Sequence, residues 1–99
     1  MIEIFTHRAI YENKENSLDG IAYNLKSGFN IEIDVRKKND KFYLSHGKQK
    51  NGDSFYDACK IIKNNSKKTA IHIKENFDVK DIVDLIYEKN IEKNCFIFS

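Results

Sequence analysis

The chain has 99 residues, with 17 Lys and Arg against 15 Asp and Glu and a net charge of +2. That length gives one domain at most, spanning 1–99. The near balance of charge argues against a nucleic-acid partner, and the Lys-rich stretches Lys37-Lys38 and Lys60 to Lys68 read as solvated surface. No apolar run is long enough to cross a bilayer, and Met1-Ile-Glu-Ile opens in strand-like alternation with no signal peptide, so a cytoplasmic protein without a stable membrane anchor is expected. Cys59 and Cys95 lie far apart, outside any Cys-x-x-Cys or Cys-His cluster. They read as reduced, half-buried thiols, and zinc and redox motifs are unsupported.

In chain order, Ile2 to Thr6 is a short strand ending at His7. Ser17 to Lys26 is a helix, with Leu18, Ile21, Ala22 and Leu25 at helical spacing, Asn16 or Ser17 as cap and Gly28 as stop. Asn30 to Lys37 is the second strand. Lys41 to His46 is a further extended stretch after a turn at Asn39-Asp40. Ser54 to Asn64 is a helix presenting Phe55, Ala58, Ile61 and Ile62, with Asp53 or Ser54 as cap and a capping pair in Ser54 and Asp57. Ala70 to Ile73 marks a third strand. Val79 to Lys89 is a third helix between Asp78 and Asn90, with Val79, Ile82, Val83, Leu85 and Ile86 apolar, and Cys95 to Ser99 begins a fourth strand. This alternation predicts an α/β fold with a parallel sheet whose strands lie side by side in order.

Two of these strands carry charge. Side chains alternate faces along a strand, so Ile31, Ile33 and Val35 share one face and Glu32 and Asp34 the other. Strands of a parallel sheet covered on both faces read as continuous apolar runs. Two carboxylates on one face break that rule, and a cation or a water-filled cleft would remove the cost of burying them. The third strand repeats the parity, with Ile71 and Ile73 on one side and His72 and Lys74 on the other. In a (β/α) barrel the charged face would be the interior, with functional groups at the C-terminal ends of the strands. Charges on a short strand can also simply face water. Taken singly, His7-Arg8 reads as an ordinary strand-end loop and His46 as a surface or satisfied core histidine. His72 and Lys74 at matching parity favour a site.

The order of these motifs resembles the glycerophosphodiester phosphodiesterase family, a branch of the phospholipase-C-like phosphodiesterases. His7-Arg8-Ala9 is similar to its His-Arg-Gly signature, Glu15-Asn16-Ser17 to Glu-Asn-Thr/Ser, and Ile31-Glu32-Ile33-Asp34-Val35 to its second-strand signature. Leu44-Ser45-His46 follows at the usual gap, Ala70 to Lys74 resembles Ile-Glu-Ile-Lys, and Phe96 to Ser99 resembles the start of the fourth strand. The resemblance implies the first part of a (β/α)₈ barrel and metal-dependent hydrolysis of a small glycerophosphodiester to an alcohol and glycerol phosphate. It makes His7 and His46 the acid/base pair. Arg8 and Lys74 hold the phosphate, Glu32, Asp34 and the third-strand position His72 hold a divalent metal, and Glu15 and Asn16 support the site. Oxygen donors imply Mg²⁺ or Ca²⁺, and Mn²⁺ or Zn²⁺ if His72 ligates.

Three positions depart from the family pattern: Ala9 for Gly, Gly47 for the Asp after the second histidine, and His72 for a carboxylate. A complete barrel takes about 250 residues, so the chain reads as a fragment truncated after the fourth strand. Such a fragment would be inactive alone and prone to self-association through its open sheet edges. A phospholipase of the same superfamily is the nearest alternative. A degenerate, non-catalytic phosphate-binding domain is the alternative from a different class.

Overall fold

The computed structural model describes residues 4–47, 52–74 and 79–98. The expected strand start at Ile2, the expected cap Asp78 and the last residue Ser99 lie outside them. Strand β1 is Phe5–Thr6, followed by a tight turn at His7–Ala9 and helix α1, Leu18–Lys26. Strand β2 is Asn30–Lys38 and β3 is Lys41–Leu44. Helix α2 is Phe55–Lys63, β4 is Thr69–Ile73, α3 is Val79–Glu88 and β5 is Cys95–Phe98.

The helices begin and end where their terminal groups find partners. Ser17 caps α1 by accepting from the Gly20 N–H. Gly28, at φ 89°, lets the Gly28 and Phe29 N–H groups turn back onto the Leu25 and Asn24 carbonyls. Asn90 does the same for α3 at φ 61°, with Asn90 N–H on Tyr87 and Ile91 N–H on Ile86. Ser54 caps α2 through the Tyr56 and Asp57 N–H groups. Asp53, the other candidate cap there, instead accepts from the Leu18 N–H at 2.9 Å and so ties the segment before α2 to the start of α1.

The apolar face of α1 differs from the expected one. Ala22 is exposed, while Gly20 and Asn24 are buried. Asn24 is tolerated inside because its amide donates to the Gly20 and Ile10 carbonyls. Val79, expected on the buried face of α3, is 42% exposed.

The sheet runs β1-β2-β4-β5, all parallel, as the βα alternation requires. The stretch after Asn39-Asp40 breaks the parallel pattern. Both turn residues have positive φ, at 51° and 63°, which suits a two-residue hairpin turn, and β3 returns antiparallel along β2 from Lys38↔Lys41 to Val35↔Leu44. Because Val35 also pairs with Ile73, β3 and β4 flank β2 on opposite edges. The β3 edge is the one that β1 occupies at Asn30 and Ile31. Between Ile31 and Val35 no strand among the described residues lies on that edge, and there the turn after β1 and the side chain of Asn16 come against β2.

The parity expectation holds for Glu32, Asp34 and His72. Register places Asp34 beside His72 and Glu32 beside Ala70, with Ile31, Ile33 and Val35 beside Thr69, Ile71 and Ile73 on the other face. That second face is the core. Ile31, Ile33, Val35, Thr69 and Ile71 are fully buried, as are Ile21, Phe55, Ile62 and Ile82 on the helices. On the polar face Phe5 meets Phe96 edge-on, ring centroids 5.7 Å apart, although two strands lie between β1 and β5. They meet over the small Ala70, paired with Phe96. Flat neighbouring strands are about 4.8 Å apart, so the sheet curls toward its polar face.

At Gly20 an added Cβ would lie 2.3 Å from the Ala9 carbonyl oxygen. Gly20→Ala is therefore expected to destabilise the fold by about 1–3 kcal/mol through forced separation of α1 and the turn after β1. Urea denaturation beside Ala22→Gly, which changes only helix propensity by about 1 kcal/mol, checks this. A smaller loss for Gly20→Ala would refute the steric account.

Candidate functional site

The polar face gathers most of the singled-out residues into one connected group. Asp34, 1% exposed, is its centre. Its Oδ1 lies 3.1 Å from His72 Nδ1. Its Oδ2 accepts from Asn16 Nδ2 at 3.1 Å and lies 3.3 Å from His46 Nδ1. Arg8 Nε stands 3.7 Å from the same oxygen. Arg8 also reaches Glu15 Oε2 at 2.9 Å and His46 Nε2 at 3.1 Å. His7 Nε2 lies 3.1 Å from Glu32 Oε1, which the Arg8 backbone N–H approaches at 3.4 Å.

These partners assign the imidazole tautomers. A guanidinium donates and cannot accept, so His46 Nε2 carries the lone pair facing Arg8 and Nδ1–H faces Asp34. A carboxylate accepts, so His72 also turns Nδ1–H to Asp34 and leaves Nε2 open. The His72 ring is further fixed by parallel stacking on Phe98, centroids 4.7 Å apart.

The chain reaches this arrangement through strained backbone. Arg8 and Ala9 adopt left-handed φ of 53° and 47°, at about 1–2 kcal/mol each for an L side chain. The Gly-to-Ala departure at Ala9 falls on such a position. Three contacts hold the turn: Asn16 N–H on the Arg8 carbonyl at 2.7 Å, Ile10 N–H on the His7 carbonyl, and the Arg8 N–H toward Glu32. Asn16 is itself left-handed at φ 54°, a conformation Asn adopts more readily than most residues. Its side chain serves Asp34 twice, donating to the carboxylate and accepting from the Asp34 N–H at 2.8 Å.

His46 follows two residues after the returning strand β3. The Ser45 N–H donates to the Asp34 carbonyl at 3.1 Å, which sets His46 level with Asp34. Beside it opens a cleft of about 550 Å³ lined by Lys14, Glu15, Asn16, Ser45, His46 and Asp53 among others. Lys74 is half-buried one position past β4, its N–H on the Val35 carbonyl, and no side-chain contact joins it to the group. His7 is the outlying member, with its side chain 68% exposed.

The site also uses residues that sequence reasoning passed over. Arg36 is buried on the same strand face as Glu32 and Asp34, and donates from Nη2 to the His46 carbonyl at 2.6 Å. The alternation Glu32, Asp34, Arg36 was the signal available for it. Ser45, joined to Asp34 through the main chain, left no such signal.

Among the described residues, no group of three His, Cys, Asp or Glu side chains is arranged to hold a metal ion. Both Asp34 oxygens already have donors. Among the described residues, Glu32 Oε2 and His72 Nε2 meet no hydrogen-bond partner. A histidine whose other ring nitrogen is held by a carboxylate is the usual form of a metal-ligating histidine.

The two thiols lie outside the site. Burial pushes both up to about 12 from an ordinary value of 9.0, and the neighbouring Cys59 adds to the effect at Cys95. No family model, curated protein or solved structure matches the chain.

Two outcomes are expected. Asn16→Ala leaves the buried Asp34 N–H and carboxylate short of partners and costs about 2–3 kcal/mol. Urea denaturation measures this, and a loss under about 0.5 kcal/mol, the scale of an ordinary surface change, would show that Asn16 is peripheral. For the thiols, the folded value lies above the unfolded one. Their contribution is complete below pH 9 and is lost as pH rises from there toward 12, because only the unfolded chain ionises. The fall in stability above pH 9 should therefore be smaller in Cys59→Ala/Cys95→Ala, and a thiol reagent at pH 8 should label the native wild type far more slowly than the unfolded chain.

Proposed function

We propose that this chain forms part of a phosphodiester hydrolase acting on glycerophosphodiesters, and that its curled parallel sheet is the first four strands of a (β/α)₈ barrel wall. One observation carries the reading. His7, Arg8, Glu32, Asp34, His46 and His72 form one contact network on the face away from the helices. In a barrel that face is the interior, with catalytic groups at the C-terminal ends of strands.

The chemistry follows from the groups present. A phosphodiester is anionic, and the Arg8 fork can take its non-bridging oxygens. The Arg8 Nη2 that meets His46 Nε2 is one donor such an oxygen would recruit. Its departure exposes the His46 lone pair. His46 then removes a proton from the attacking water as the new P–O bond forms, while Asp34 holds the opposite ring nitrogen. The P–O bond to the alcohol breaks, and His7 gives the leaving alkoxide its proton. The products are the alcohol and glycerol phosphate. Glu32 keeps His7 in place, and Lys74 adds positive charge at the rim.

Glu32 and His72 are the residues that would hold a divalent ion. An oxygen and an imidazole nitrogen suit Mn²⁺ or Zn²⁺ better than Ca²⁺ or Mg²⁺. When bound, the ion would neutralise phosphate charge.

Assay of glycerol phosphate release from a glycerophosphodiester tests the proposal. In the complete protein of which this chain would form part, turnover is expected with a divalent metal, to be abolished in Glu32→Ala and to fall by about 10²–10⁴-fold in His46→Gln. Undiminished turnover in excess chelator would remove the metal from the account. Two observations favour a second reading, a non-catalytic phosphate-binding domain: His46 Nε2 is capped by Arg8, and His72 stands where the family has a carboxylate. Metal-independent phosphate binding with no turnover would select that reading.

A further inference from the structure

The face of β2 that carries Glu32 and Asp34 continues to Arg36, which is 6% exposed. A guanidinium is costly to bury unless its donors are used. Its Nη2 donates to the main-chain carbonyl of His46 at 2.6 Å, a short charge-assisted bond. The His46 ring itself is held more loosely. Nδ1 lies 3.3 Å from Asp34 and Nε2 lies 3.1 Å from Arg8, both at the long end of hydrogen-bonding distance.

The position of His46 explains why its main chain needs a hold. The β2–β3 ladder ends at Val35↔Leu44. Beyond it, the Ser45 N–H still reaches the Asp34 carbonyl, and the Ser45 hydroxyl donates to the Gly47 carbonyl at 2.7 Å. His46 lies between these two contacts. The bond from Arg36 ties its carbonyl back to the strand that carries Asp34.

We propose that Arg36 is the positioning residue of the site. It fixes the main chain of His46 so that Nδ1–H stays on Asp34 and Nε2 stays aimed at Arg8. The bond that Arg36 makes to His46 goes to the main chain, so Arg36 acts through His46. The importance for turnover rests on His46 being the base of the proposed hydrolysis, whereas the clamp itself is a property of this chain whatever the reaction.

Histidine-ring ¹⁵N–¹H correlation spectra of the chain test it, because they report the tautomer of each ring. In the wild type, His46 and His72 are expected as Nδ1–H tautomers. In Arg36→Met, His46 is expected to become a mixture while His72 keeps its pattern, since the His72–Asp34 contact does not involve Arg36. Arg36→Lys keeps one donor and should restore part of the His46 signature. If Arg36→Met does not fold, Arg36→Gln, with a shorter donor, takes its place and the same outcomes decide. His46 signals identical to wild type in the folded variant would overturn the proposal. Equal disturbance of His46 and His72 would also overturn it, making Arg36 a residue of the fold at large. Where turnover is measurable, kcat should fall by about 100-fold at unchanged KM, the scale of a misplacement of about 1 Å. A complete protein without turnover, with the tautomer change still occurring in this chain, would sink the hydrolase reading and leave the clamp standing.

Discussion

A carboxylate sealed from water organises this half of the molecule. Asp34 is 1% exposed, and burying an ionised group is tolerable only when each oxygen finds donors. Three chain segments meet that demand. Asn16 comes from the start of α1, His46 from the end of β3 and His72 from β4. Each must be brought to the same few ångströms, so the left-handed turn at Arg8 and Ala9, the hairpin at Asn39-Asp40 and the register of β2 on β4 answer to one requirement. The strain in that turn is what such convergence looks like in the backbone.

Much of the fold could be read from residue pattern. The helix boundaries were visible because Ser17, Gly28, Ser54 and Asn90 have side chains or backbone freedom suited to their places. The parallel order followed from alternation of strand and helix, and the faces of β2 and β4 from period two. What stayed hidden was non-local. Nothing in Lys41 to Leu44 alone says that it returns along β2, although the turn residues hint at a hairpin. Asp53 looked like a cap for the helix beside it and serves another, 35 residues away. Asn24 was not among the residues expected to face the core, because its two carbonyl partners are set by the packing of α1 on the preceding turn.

The site divides in the same way. Residue types and order brought Glu32, Asp34, His7, Arg8, His46 and His72 forward, and they meet in space. Their mutual arrangement was not legible. Sequence spacing made Asp34 an equal partner of Glu32, whereas in the structure Glu32 faces the turn and keeps an open oxygen while Asp34 is enclosed by donors. His7 and His46 looked like a matched pair, yet one is exposed and the other is held on both ring nitrogens. Burial and hydrogen-bond saturation depend on every neighbour at once, and a single sequence does not display them.

The stretch of the β2 edge between the last pair with β1 and the first with β3, which no described strand covers, has its own consequence. There the Asp34 N–H bonds to a side chain, Asn16 Oδ1, where an adjoining strand would normally offer a carbonyl. Asn16 thus acts as a one-residue splice in the sheet. At this point the scaffold and the polar group share one bond, so loss of the Asn16–Asp34 contact would loosen both. The solvent-exchange lifetime of that single amide becomes a gauge of site order, one that needs neither substrate nor turnover to read.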